Sequence, residues 1–228
     1  MDKKRSELIS NVSHDLKTPL SIIMGYCEVL QTCENEDDRM YYCTIIEEEA
    51  VRMNLLASRL LRLEELEAGQ SALTLSDFRL SELIKQRLDK FEFFTPERGI
   101  SVSLNPCEQD TVCADYERIE EVVNNFLTNA LNFTPDGGEI RVSVESDEEN
   151  VRCSVFNSGS SIPEESLDRV WESFYMVDKA RTRKYGGSGM GLRIVAAIIE
   201  AHGGNCGVSN RENGVEFYFT LKRKEQLL

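Results

Sequence analysis

Histidine is scarce in this 228-residue chain, with two in all, and no two of its seven cysteines are spaced as C-x-x-C. That shortage excludes a structural zinc site built from Cys and His. The odd, unpatterned cysteines read as reduced thiols of a cytoplasmic protein, not as a disulfide framework. Long apolar runs are missing too. The longest candidate, Thr18–Cys27, has ten uncharged residues, against the roughly 18 that a membrane-spanning helix needs. Lys3, Lys4 and Arg5 lead into an amphipathic stretch, unlike a signal peptide, so the sequence predicts a soluble chain. Cations are few: 26 Lys and Arg stand against 40 Asp and Glu, a formal charge of −14, which argues against a nucleic-acid partner. Runs such as Glu47-Glu48-Glu49 and Asp147-Glu148-Glu149 read as solvated surface. Hydrophobic residues make up 41%, enough for packed cores, and the length accommodates two domains.

The chain divides by texture. Residues 1–67 hold one glycine and one proline, and apolar residues recur there at helical spacing. Leu8, Val12, Leu20, Ile23, Cys27 and Leu30 predict a first helix, interrupted at Pro19, with a break around Thr32–Asp37. Tyr42, Ile46, Glu49, Met53, Leu56, Leu60 and Leu63 then alternate steps of four and three, a heptad seam with one polar member. Two such helices make an antiparallel hairpin. Each buries only one face, which predicts a four-helix bundle on dimerisation. After Gly69-Gln70-Ser71 strands alternate irregularly with helices. Strands are predicted at Thr74–Phe78, Ile100–Leu104, Thr111–Ala114, Glu139–Glu145, Val151–Phe156, Gly207–Asn210 and Val215–Leu221. Helices are predicted over Leu80–Phe94, started by Ser81, from an Asp115 cap to Asn132, over Glu164–Phe174, and over Met190–His202. Without regular βαβ alternation the class is α+β, a helical hairpin followed by an α/β sandwich. The predicted divisions are 1–68 for the hairpin, 69–76 for a linker and 77–228 for the sandwich.

Four segments carry chemistry. In Ser13-His14-Asp15-Leu16-Lys17-Thr18-Pro19 a histidine sits within a helical stretch. Imidazole is nearly neutral at pH 7, so its free nitrogen can act as a nucleophile, and the adjacent carboxylate can accept its other proton. Thr18 lies four residues on, on the same face. Gly186-Gly187-Ser188-Gly189-Met190-Gly191-Leu192 precedes a helix and lets backbone N–H groups approach an anion. Just upstream, Lys179, Arg181, Arg183 and Lys184 reverse the chain's acidic balance, which suits several phosphates. Asn125 and Asn129 stand one helical turn apart, and amide oxygens are hard ligands suited to Mg²⁺ that already carries phosphates. Asn157-Ser158-Gly159-Ser160-Ser161-Ile162-Pro163, at a strand end, offers a polar rim for a base edge.

In this order and spacing the segments resemble the catalytic core of sensor histidine kinases of two-component systems, over roughly residues 5–223. His14-Asp15-x-x-Thr18-Pro19 is similar to the phosphoacceptor box, and Asn125-x-x-x-Asn129 to the asparagine box. Asn157-x-Gly159, Trp171-Glu172-Ser173-Phe174-Tyr175 and Gly187-x-Gly189-x-Gly191-Leu192 fall at the first glycine, phenylalanine and last glycine boxes. The resemblance implies a homodimer whose hairpin dimerises and transfers phosphate, and a Bergerat-type ATP-binding domain using ATP and Mg²⁺. By the same resemblance, His14 attacks the γ-phosphorus with Asp15 as general base, and Asn129 holds Mg²⁺ with Asn125 in support. Asn157 and Gly159 meet the adenine, with Ile162 and Phe174 beside the nucleotide. Lys179, Arg181 and the backbone of Gly187, Gly189, Gly191 and Leu192 cover the phosphates. Phospho-His14 then passes its phosphoryl group to an aspartate of a response regulator receiver domain. Thr18 is placed like the residue that orients water for the reverse, phosphatase reaction. The implied location is the cytoplasmic portion of a membrane-anchored sensor, the membrane being reached only through a segment absent from this sequence.

Four positions depart from the family pattern. Asn157 stands where Asp is usual, Ser158 and Ser161 replace Asn and Gly, and Asn132 occupies a position where Lys or Arg often touches phosphate. They leave one alternative, a degenerate kinase serving as a dimeric nucleotide- or regulator-binding scaffold. A gyrase- or chaperone-type ATPase is disfavoured, because such enzymes carry a Glu base at the Asn125 position and lack a His-bearing hairpin.

Overall fold

The computed structural model describes residues 2–67, 72–91, 96–177 and 189–224. Helix α1 spans Asp2–Thr32 and α2 spans Glu36–Glu67. The expected interruption at Pro19 does not occur, and α1 runs through it. A proline inside a helix forfeits one backbone hydrogen bond. Here the ring is buried in the hairpin, where packing offsets the loss. Three residues, Cys33–Asn35, make the turn. Asn35 Oδ1 accepts from the Asp37 N–H at 2.9 Å, and Glu36, Asp37 and Asp38 occupy the first turn of α2, where helix N-termini favour negative charge.

The heptad seam of α2 is borne out. Leu56 and Leu63 are buried, Glu49 is buried beside Arg52 at 3.0 Å, and Tyr42, Ile46, Met53 and Leu60 are half-buried. Tyr42 stacks on Tyr26 with ring centroids 5.3 Å apart. On α1 the apolar set divides. Ile23 and Leu30 are half-buried, whereas Leu20 and Cys27 point to solvent, and Pro19 and Tyr26 take their places inward. The apolar residues of α1 occupy two faces, which one periodic series cannot separate. The side chains of Leu8 and Val12 lie outside those described.

The second unit opens with strand β1 (Leu75–Arg79), which begins within the residues assigned to the linker, and helix α3 (Leu80–Phe91). There follow β2 (Ser101–Asn105), β3 (Thr111–Asp115), α4 (Tyr116–Phe133), β4 (Glu139–Ser146), β5 (Asn150–Ser158), α5 (Gly191–Ala201), β6 (Asn205–Arg211) and β7 (Gly214–Lys222). The main sheet has the order β2-β4-β5-β7-β6, parallel between β2 and β4 and antiparallel elsewhere, while β1 and β3 form a separate antiparallel pair. Helices α4 and α5 are amphipathic. Their apolar stripes, including Ile119, Val123, Phe126, Leu127, Ile194 and Ile198, join Val142, Cys153, Val155 and Phe219 of the sheet in one core. The α+β sandwich is borne out. All seven cysteines are unpaired, and burial pushes the Cys153 thiol up to about 12.

Local signals fared unevenly. Asp115 caps α4 as predicted, its Oδ1 accepting from the Arg118 N–H at 3.2 Å. Its other oxygen accepts from the Thr74 N–H at 2.9 Å, and its own N–H donates to His202 Nε2 at 3.0 Å. Helix α3 begins at Leu80 instead of being started by Ser81. The fully buried Asp110 accepts from the Ser81 N–H at 2.6 Å and holds Arg79 Nε at 3.0 Å. The helix predicted over Glu164–Phe174 is two short 3-10 turns, Glu164–Ser166 and Arg169–Trp171. Phe174, at φ +65°, lies in the left-handed region and cannot extend a right-handed helix.

Candidate functional site between the hairpin and the sandwich

A cavity of about 590 Å³ opens between α2, α4 and the start of α5. Helix α4 forms its floor. Glu117, Glu121, Asn125, Asn129 and Asn132 recur at helical spacing along one face, while Val122, Val123, Phe126 and Leu127 of the same helix are buried in the core. Asn157 and Ile162 also line the cavity, as do Arg59 and Arg62 of α2.

Asn125 donates through Nδ2 to the Glu121 carbonyl at 2.9 Å, which leaves Oδ1 free to face α5. A Cβ on Gly191 would stand 2.6 Å from that oxygen, so the start of α5 approaches α4 only because residue 191 is glycine. Asn129 lies one turn along, half-buried on the cavity wall. Its carboxamide has no hydrogen-bond partner among the described residues. Two amide oxygens below a helix N-terminus make a hard, neutral donor set. It fits a divalent cation that arrives already carrying phosphate and water, and is too weak to hold one alone. No group of three His, Cys, Asp or Glu side chains that could hold a metal ion occurs among the described residues.

Asn157 is buried near the end of β5, its Nδ2 donating to the Ser158 carbonyl at 3.3 Å. The neighbouring Ser158 serves structure: its Oγ accepts from the Glu139 N–H at 2.8 Å. Gly159, at φ +134°, donates to the Asn213 carbonyl, and a Cβ there would meet the Phe133 carbonyl at 3.0 Å. It shapes the turn behind Asn157 without lining the cavity. Ile162 is held at both its N–H and its carbonyl by the Asn210 side chain, at 2.9 and 2.8 Å.

Phe174 departs from its expected place. It is buried away from the cavity wall and donates its N–H to the Gly189 carbonyl at 2.9 Å, while Tyr175 and Met176 line the cavity. Gly189, at φ +68°, passes so close that a Cβ would stand 2.9 Å from Phe174 backbone atoms. Gly191 and Leu192 line the wall. Lys179, Arg181 and Gly187 lie outside the described residues. His14 and Asp15 belong to α1, with side chains outside those described, and Thr18 is exposed one turn further. The reading from sequence missed Arg59, Arg62 and Asn210. The first two look like solvated helix cations, and nothing local ties Asn210 to a residue 48 positions earlier.

A sandwich that turns a polar helix face and a glycine-bounded helix N-terminus into one cleft defines a nucleotide-binding class of protein. Comparison with known proteins agrees. Residues 114–225 match the family described as histidine kinase-, DNA gyrase B- and HSP90-like ATPase, and residues 4–69 match the His Kinase A (phospho-acceptor) domain. The sensor histidine kinase WalK of Bacillus subtilis (strain 168) is 34% identical over 232 residues, covering 99% of this chain and 38% of that protein. The catalytic domain of histidine kinase ThkA is 34% identical, with a TM-score of 0.60, over 66% of this chain and 97% of that one. Histidine kinase ThkA in complex with response regulator protein TrrA superposes over 98% of this chain and 65% of that one, with a TM-score of 0.78 and 29% identity. The chain therefore belongs to the two-component sensor histidine kinase family and contains its catalytic core. It spans about two-fifths of the length of the curated relatives it matches.

Proposed function

We propose that this chain is an ATP-dependent protein-histidine kinase that phosphorylates itself on His14 and passes the phosphoryl group to an aspartate of a response regulator receiver domain. The observation that carries the reading is the shared cleft. Asn125, Asn129, Asn157 and Gly191 of the ATP-binding domain face one cavity with a helix of the hairpin that bears His14. In the reaction an imidazole nitrogen of His14 forms a bond to the γ-phosphorus, the bond from that phosphorus to the bridging oxygen breaks, and ADP leaves. Asp15 takes the proton from the other ring nitrogen. Asn129, with Asn125 in support, would hold Mg²⁺, which when bound would supply charge neutralisation at the phosphates. The chain's own share is positioning: the start of α5 turns its N–H groups toward the phosphates, and Asn157 meets the adenine edge with an amide. Thr18, one turn after His14, orients water for dephosphorylation of the regulator.

Dimerisation accounts for the outer face of the hairpin. Leu20, Met24, Val51 and Leu55 are each about half exposed in the single chain, at 46, 58, 55 and 51%. Burying them against a second copy completes a four-helix bundle. The curated relatives are sensors two and a half times as long, roughly, which supports a place on the cytoplasmic side of a larger, membrane-anchored receptor. No described helix is long and apolar enough to cross a membrane. The test is labelling of the purified chain with ATP radioactive at the γ-phosphate, beside His14→Gln. Acid-labile, base-stable label in the parent and none in the variant is the expected result. Label that persists in the variant would remove His14 from the mechanism.

A further inference from the structure

We infer that Arg59 and Arg62 of α2 are phosphate-binding residues of the ATP site, so that the site is completed by the hairpin and is not contained in the ATP-binding domain alone. The inference rests on the kinase reading of the same cavity. Among the described residues that line it, Arg59 and Arg62 are the only basic ones. Three carboxylates, Glu117, Glu120 and Glu121, lie on the α4 side of the same wall. Glu120 is neutralised from within the domain by Arg87 at 2.8 Å, whereas Glu121 is met across the gap by Arg62 Nη2 at 3.1 Å. Asn132, at the far end of the same helix face, contributes no charge. Among the described walls, the two hairpin arginines are the groups that offset these carboxylates toward a polyanion.

The direction of the cavity assigns the phosphates concerned. Asn132 and Glu121 are eleven residues apart on α4, about 16 Å along the helix axis. Gly159, two residues after Asn157, lies against the Phe133 carbonyl next to Asn132, so the adenine end is there. Asn129 and then Asn125 follow along the helix, and Glu121 with Arg62 comes last. A triphosphate laid along this face points its outer phosphates toward α2, and α4 presents its N-terminal, electropositive end on the same side. Guanidinium forks suit phosphate oxygens, and the carboxylate of Glu121 competes with them for Arg62. ATP then draws α2 and the domain together by bridging them.

Affinities of the whole 228-residue chain for ATP, ADP and adenosine test this, by calorimetry on the parent, Arg59→Gln/Arg62→Gln, Arg59→Lys/Arg62→Lys and Glu121→Gln. The double glutamine variant is expected to lose roughly ten- to hundred-fold in ATP affinity, less for ADP and nothing for adenosine. The double lysine variant recovers part of the loss, and Glu121→Gln binds ATP more tightly than the parent. Equal ATP affinity in parent and double glutamine variant overturns the inference while leaving the kinase reading intact. A loss equal for ATP and adenosine assigns the arginines to domain packing and overturns it too. A parent that binds no ATP overturns the kinase reading and this inference together.

Discussion

The hairpin and the ATP-binding domain solve the problem of burying apolar surface in opposite ways. In the domain, two helices and a mixed sheet close around Phe126, Leu127, Ile194, Ile198 and Phe219, and the core is complete within the chain. In the hairpin, Pro19, Leu56 and Leu63 are the apolar side chains buried among the described residues, while Leu20, Met24, Val51, Leu55 and Leu61 stay exposed. One unit closes a core of its own, joined by Leu56 of α2, and the other leaves apolar surface for the proposed second copy. The domain's stability should therefore be independent of protein concentration, and that of the hairpin should rise with it. Two signals separate them: the one tryptophan, Trp171, lies in the domain against Phe217, and most helix is in the hairpin.

The sharpest way to break this comparison is Phe126→Ala. Removing a fully buried ring should cost about 3–5 kcal/mol. The Trp171 fluorescence transition should fall steeply in temperature while helical circular dichroism keeps a later, concentration-dependent phase. A single merged transition would mean that the units are one cooperative body. Next, Val51→Lys with Leu55→Lys should cost the dimer roughly 3 kcal/mol, from the lost burial of two apolar side chains. Light scattering should report monomer, with the fluorescence transition unmoved. Asp110→Ala comes third. It leaves the Ser81 N–H and the Arg79 guanidinium without their buried acceptor, for a loss of about 2 kcal/mol read by fluorescence and confined to the domain.

The smallest effect is a pH dependence belonging to the domain alone. Burial pushes the Asp115 carboxyl up, but the N–H groups of Thr74 and Arg118 and the nearby Arg118 charge outweigh it and hold the group below the ordinary 3.8. A carboxyl lowered by folding stabilises the native state above the unfolded value and loses that contribution as pH falls through the folded one. The fluorescence transition should therefore drop as pH is taken below about 4, with part of that slope absent in Asp115→Asn. An unchanged slope in the variant would place the acid sensitivity elsewhere.

What the sequence made legible was local. The cap of α4 sits three residues from the N–H that it accepts, and the seam of α2 repeats along one helix, so both could be read directly. The cap of α3 could not, because Asp110 reaches Ser81 across 29 residues. Pairing of Asn210 with Ile162 was hidden for the same reason. On α1, residues packed toward α2 and residues left exposed share one helical period, so the pattern mixed them. At the site, Asn125, Asn129, Asn157, Ile162, Gly189, Gly191 and Leu192 line one cavity, whereas Gly159 does not and Phe174 is in the core. A box motif records which residues travel together, and Phe174 travels with Gly189 as a backbone clasp that any ligand contact would leave unstated.

The Asp115 carboxylate has a mechanical consequence. One oxygen holds the first turn of α4, the other holds Thr74, just before β1 resumes the chain beyond the hairpin, and the backbone N–H grips His202 after α5. Three segments are thus pinned at one joint. A pull on the connection from the hairpin is delivered as leverage on the helix that carries Asn125 and Asn129, and on the end of the helix whose start is Gly191. The two edges of the cleft are hung from a single rivet.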